Sequence, residues 1–124
     1  MVRAALVRHR GHEVKAMGDG FLVTFDATGR ALRCAAEILA GANDLGLELR
    51  AGVHTGEIEM RGDDIAGLAV AIAKRVCDMA GPGQILVSDA VRSNVVGTDL
   101  AFNDRGDHEL KGVPGTWRLY SLAT

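Results

Sequence analysis

The segment Val14-Lys15-Ala16-Met17-Gly18-Asp19-Gly20-Phe21-Leu22-Val23-Thr24-Phe25 decides the architecture of this 124-residue chain. Two runs of strand-forming residues flank Gly18-Asp19-Gly20, and glycine permits the positive φ that a tight turn requires. The segment therefore predicts an antiparallel hairpin, with strands at residues 13–17 and 21–25. Its tip presents a carboxylate, Asp19, between the two glycines.

Helical and strand-like patterns alternate on both sides of this hairpin. The N-terminal residues place Val2, Ala5 and Leu6 on one face, which is typical of the end of an amphipathic helix. Apolar spacing and turn residues predict helices at 29–42, 65–80 and 88–96, and strands at 49–60, 84–87, 101–106 and 117–122. This alternation predicts a single α+β domain, a sandwich in which helices cover one face of one sheet.

Composition narrows the class of protein. Hydrophobic residues make up 48% and charged residues 24%, the balance of a globular domain, and the formal net charge of -2 argues against a nucleic-acid surface. We find no apolar run near the roughly 18 residues that span a bilayer. Cys34 and Cys77 are too few and too distant for a disulfide framework or a metal cluster, so we expect reduced thiols and a cytoplasmic protein.

Asp19 is the first candidate functional residue. Hard divalent cations such as Mg²⁺ bind carboxylate oxygens together with substrate phosphates, and a hairpin tip holds such a carboxylate exposed. The same Gly-Asp-Gly sequence is also ordinary turn chemistry. The hairpin alone leaves both interpretations open.

Five ordered segments resemble the class III nucleotidyl cyclase catalytic domain, closest to bacterial, actinobacterial-like adenylate cyclases. The resemblance covers essentially the whole chain, 1–124, and implies a ferredoxin-like sandwich that converts ATP to 3′,5′-cyclic AMP and pyrophosphate. The segments are Val14 to Phe25, Gly52 to Glu57, Asp64 to Arg75, Gly81 to Ser88, and Arg105 to Val113 closing at Leu119-Tyr120.

The resemblance also implies a role for each site residue. Asp19 would bind Mg²⁺ or Mn²⁺, while Lys15 and Asp64 would read the adenine base. Arg75 would stabilise charge on the α-phosphate, and Lys111 would contact the β- and γ-phosphates. In the homodimer that the resemblance implies, Asp19 of one subunit would work with Lys15, Asp64 and Arg75 of the other.

Each role has a simpler alternative and the sequence departs from the family in two places. Lys15 and Arg75 could be solvent-facing, and Asp64 could cap the helix expected after it. Ala71 stands where the family usually has a ribose-orienting asparagine. The sequence also begins inside the first helix, so the preceding strand and its metal-binding aspartate are expected to be absent. A module that binds nucleotide or another cyclase chain without turnover therefore remains an alternative, as does an unrelated ferredoxin-like binding domain.

Overall fold

The computed structural model describes residues 1–17 and 20–123. The helices are α1 Val2–Arg8, α2 Thr28–Asp44, α3 Leu68–Met79 and α4 Asp89–Asn94. The strands are β1 His12–Met17, β2 Gly20–Thr24, β3 Ala51–Val53, β4 Glu59–Arg61, β5 Asp64–Ala66, β6 Ile85–Ser88, β7 Phe102–Glu109 and β8 Thr116–Leu122. Among the helices in these ranges, none is long and apolar enough to cross a membrane.

The strands form one four-stranded sheet and two hairpins. The sheet has the order β3-β6-β8-β7, in which β3 and β6 are parallel and the other pairs are antiparallel. β1 and β2 form the antiparallel hairpin that the sequence predicts, and β4 and β5 form a second one. The mixed α+β class is confirmed.

Helices cover both faces of the four-stranded sheet, so the expectation of a single covered face is wrong. Leu86 of β6 packs with Ile72 and Val76 of α3 on one side. Its neighbours Ile85 and Val87 join the cluster formed by α2 and α4 on the other side. All four residues of β6 are buried, because a strand with helices on both faces alternates between two apolar layers rather than between core and solvent.

Two predicted boundaries around the middle of the chain are also wrong. The expected strand at 49–60 is interrupted after Val53 and resumes at Glu59 as a separate element, β4. The expected helix at 65–80 begins at Leu68, because Ile65 belongs to β5. Gly67, with a φ of 122°, separates strand from helix. The N-cap residue of α2 is Ala27, which makes no side-chain cap hydrogen bond.

Gly52 allows β3 to lie directly against α3, and we expect Gly52→Ala to be strongly destabilising. A Cβ atom at residue 52 would lie 2.3 Å from the backbone nitrogen of Cys77, which can move only with the whole helix. Overpacking of this kind should lower the free energy of unfolding by about 3 kcal/mol.

Urea denaturation of both proteins measures this loss, and Gly29→Ala is the matched control. A Cβ atom at Gly29 would meet only the mobile end of Arg33. The control should therefore change the free energy of unfolding by less than about 1 kcal/mol. Equal stability of the Gly52→Ala variant and the unsubstituted chain would contradict the close packing of β3 on α3.

Candidate functional site

Lys15 and Asp64, which lie 49 positions apart in the chain, form an ion pair. Lys15 is on β1, and Asp64 is the first residue of β5, directly after the Gly62–Asp63 turn of the β4–β5 hairpin. The Lys15 Nζ atom lies 2.9 Å from Asp64 Oδ2, and the two side chains remain 39% and 50% exposed. A pair with this exposure adds little to stability. Because both side chains are partly exposed, a ligand can reach them.

The Asp64 carboxylate has a second partner and a perturbed pKa. Its Oδ1 atom accepts a hydrogen bond from the backbone N–H of Ile65 at 2.8 Å. The hydrogen bond from Lys15, then that from Ile65, holds the pKa of Asp64 below its usual range, and the charge of Lys74 acts in the same direction. Because the pKa of Asp64 is lower in the folded protein, the ionised carboxylate stabilises the fold at pH values above the ordinary aspartate pKa of about 3.9. This stabilisation is lost as the pH falls through the lowered pKa.

Arg75 and Lys111 come together at a different place, around a shallow depression of about 180 Å³. Arg75 lies on α3 and donates from Nη1 to Asp78 Oδ2 at 3.1 Å, while Lys111 is exposed just after the end of β7. Asp78 and Met79 line the same depression. Ala71 is exposed and lies one helical turn before Arg75. Because its side chain is a methyl group, it offers no hydrogen bond on this part of α3.

The expected metal ligand, Asp19, lies outside the described residues. Within residues 1–17 and 20–123, no three His, Cys, Asp or Glu side chains come together as a possible metal site. The metal function of Asp19 stays a prediction.

His54 makes a polar contact, and it is not among the residues that the sequence singles out as functional. Its Nδ1 atom lies 2.6 Å from Ser88 Oγ on the neighbouring β6. Burial lowers the pKa of His54. A histidine directly after a strand and a serine at the end of another are visible in the sequence, but only the parallel pairing of β3 and β6 brings them to one edge.

Comparison with known proteins identifies similar chains. The family model described as "Adenylate and Guanylate cyclase catalytic domain" matches residues 2–124. A putative adenylate cyclase 3 of Rhizobium meliloti is 38% identical over an alignment of 114 residues that covers 85% of this chain and 19% of that protein. The chain thus spans about a fifth of the length of that relative.

Solved structures agree with this match. The adenylate/guanylate cyclase/hydrolase of Silicibacter pomeroyi has a TM-score of 0.84 at 28% identity, covering 100% of this chain and 79% of that one. An adenylate cyclase of Trypanosoma brucei in its monomeric state has a TM-score of 0.85 at 23% identity, covering 98% of this chain and 74% of that one, and this likeness concerns the fold alone.

Proposed function

The chain belongs to the adenylate and guanylate cyclase catalytic domain family, and from this premise we propose that residues 1–124 form one domain that converts ATP into 3′,5′-cyclic AMP and pyrophosphate. The main support is the contact between Lys15 and Asp64, which puts a cationic donor and an anionic acceptor 2.9 Å apart. The name of the relative from Rhizobium meliloti is consistent with this activity.

The Lys15–Asp64 pair is complementary to the edge of adenine. Ring N1 of adenine is an acceptor for the Lys15 ammonium group, and the exocyclic amine is a donor for the Asp64 carboxylate. Guanine reverses both groups, so it would leave the two side chains and its own edge unpaired. A site built on hydrogen bonds rejects such a ligand strongly.

Arg75 and Lys111 are proposed to bind the phosphates. Both are cations beside one depression, and Arg75 would stabilise charge that develops on the α-phosphate, while Lys111 would contact the β- and γ-phosphates. Mg²⁺ or Mn²⁺ bound by Asp19 would neutralise the triphosphate and lower the pKa of the ribose 3′-hydroxyl. We propose a homodimer, or a pair with another cyclase chain, in which Asp19 of one subunit completes the site of the other, and a cytoplasmic location.

A second candidate is a module that binds nucleotide or another cyclase chain without turnover. Ala71 favours it, because a methyl group on this part of α3 cannot orient the ribose by hydrogen bonding. The Lys15–Asp64 pair is compatible with both candidates, since it concerns base recognition rather than the chemical step.

A cyclic AMP assay of the chain with Mn-ATP separates the two candidates. We expect cyclic AMP to form, and cyclic GMP to form far more slowly from Mn-GTP, because guanine mismatches the Lys15–Asp64 pair. ATP binding without cyclic AMP, measured by calorimetry on the same preparation, would support the module. Absence of both binding and product would remove the cyclase and the nucleotide-binding module, and it would leave only a module that binds another cyclase chain.

A further inference from the structure

The contact between His54 and Ser88 links the carboxyl ends of two parallel strands. At this end of the sheet the chain leaves β3 and continues towards Asp64. His54 directly follows β3, and Ser88 is the last residue of β6. The His54 ring is half-buried, and its edge packs against Trp117 of β8, with ring centroids 5.9 Å apart and an interplanar angle of 85°. Ser88 is fully buried, so its hydroxyl needs a partner inside the protein.

Ser88 uses its hydroxyl for this link rather than for its local helix. It is the N-cap residue of α4, a position where a serine oxygen commonly accepts a hydrogen bond from a backbone amide of the first turn. Among the described residues, no such side-chain cap bond forms at this helix. Instead of capping α4, the Ser88 hydroxyl contacts His54 at 2.6 Å and so connects β6 to the loop that follows β3.

Residues 54–59 connect His54 to the β4–β5 hairpin and pack against the start of α3. At Gly56, an added Cβ would lie 3.4 Å from His54 Nε2 and 3.1 Å from the Cβ of Ala69. At Gly67, an added Cβ would lie 3.7 Å from the carbonyl oxygen of Glu57. The loop therefore contacts His54 on one side and the first turn of α3 on the other, while residues 56–59 are exposed to solvent.

We propose that His54 is a positioning residue for the base-reading pair: its bond to Ser88 anchors residues 54–59 and so fixes where the β4–β5 hairpin presents Asp64 to Lys15. The inference rests on the proposed function for the meaning of that pair. The anchoring itself is a property of the chain without nucleotide, and it can be measured separately.

The anchor is strongest with a neutral imidazole. Nδ1 of His54 can accept from or donate to the Ser88 hydroxyl, depending on the tautomer, but burial disfavours a charged ring, so protonation favours conformations in which the ring is exposed to water. Charged or titratable residues close in the chain or the sheet to the contacts of His54 include Glu57 on the same loop, Asp89 after Ser88, Arg118 after Trp117, and His108 opposite Trp117 on β7. Burial is the sole cause of the lowered pKa of His54, so none of these four residues governs its charge.

Acidification should therefore loosen the hairpin. Because the folded pKa lies below the ordinary histidine value of about 6.5, the anchor is intact above that value and is lost as the pH falls through the lowered pKa. Hydrogen–deuterium exchange of backbone amides in residues 57–66, without nucleotide, measures this directly.

Three substitutions separate the bond from the packing. Phe in place of His54 (H54F) keeps a ring against Trp117 but removes the bond, and Ser88→Ala removes the same bond from the other side. His54→Asn retains a hydrogen-bonding group for Ser88 but does not titrate. We expect H54F and Ser88→Ala to speed exchange in residues 57–66 by about tenfold, and His54→Asn to keep the protection and abolish its pH dependence.

Base selectivity provides the second readout. Binding of fluorescent ATP and GTP analogues should become less selective in H54F and Ser88→Ala, with the ratio returning in His54→Asn. His12→Asn, at an exposed histidine on β1, is the control and should leave both readouts unchanged.

Unchanged hydrogen–deuterium exchange of residues 57–66 in Ser88→Ala would overturn the proposal. This result would decide the matter even if H54F fails to fold. Exchange that responds as expected in a chain that binds no nucleotide would support the anchor while removing the proposed function. Cyclic AMP formation with unchanged exchange and unchanged selectivity would overturn the anchor alone.

Discussion

Arg75→Ala is expected to lower the rate of cyclic AMP formation at saturating Mn-ATP by about a hundredfold or more, the usual loss when one donor to a transition-state charge is removed. The guanidinium lies beside the same depression as Lys111 and is part-exposed, so an incoming phosphate can reach it. Its present partner is Asp78, three residues along α3, and an exposed pair of this kind is weak enough for a phosphate to displace. The effect should fall mainly on kcat, with a small change in KM, because the charge in question develops during the reaction.

Arg33→Ala is the matched control for this substitution. Arg33 is also a helical arginine with a part-exposed side chain in an ion pair, with Asp99 at 3.0 Å, but it lies on α2 and away from the depression. Its replacement should leave kcat within about twofold. A similar loss of rate in both variants would point to a general effect on the fold, and full activity in Arg75→Ala would remove Arg75 from the transition-state role.

The fold was predictable where a local pattern determines a single structure. The Gly18-Asp19-Gly20 segment predicts the β1–β2 hairpin, because the strand-forming residues on both sides and the glycines between them agree. The β4–β5 hairpin was missed, because each of its strands has only three residues and Gly62-Asp63 reads equally well as part of a longer connection. Ile65 fits the apolar spacing of the following helix as well as it fits a strand, so periodicity alone placed the start of that helix too early.

In the candidate site, too, contacts set by local sequence were predictable and contacts set by tertiary packing were not. Lys15 and Asp64 were singled out by resemblance to a family and not by any pattern between them, since no local rule relates residues 49 positions apart. Their contact arises from the packing of β1 next to β5. The Arg75–Asp78 pair, in contrast, follows from helical spacing of three residues and needs no tertiary structure. The His54–Ser88 bond requires the parallel pairing of β3 with β6, which the sequence does not specify.

Lys15→Glu is expected to change the base that the site accepts. The substitution replaces the donor to adenine N1 with an acceptor, which matches the N1–H group of guanine instead. It also places two carboxylates where an ion pair stands at 2.9 Å, so Asp64 loses the hydrogen bond that contributes most to its lowered pKa. We expect kcat/KM for ATP to fall by about a thousandfold and measurable activity with GTP to appear, so that the ratio of the two changes more than either rate.

Lys74→Glu separates base reading from charge in this prediction. Lys74 also lowers the pKa of Asp64, but it does so through its charge alone, whereas Lys15 contributes a hydrogen bond as well. The two variants have the same net charge, so a general electrostatic effect on a triphosphate should appear in both and should affect ATP and GTP alike. A changed ratio of ATP to GTP use only in Lys15→Glu would identify hydrogen bonding to the base as the cause. An unchanged ratio in Lys15→Glu would exclude Lys15 from base recognition, and the Lys15–Asp64 contact would then be an ordinary link between β1 and β5.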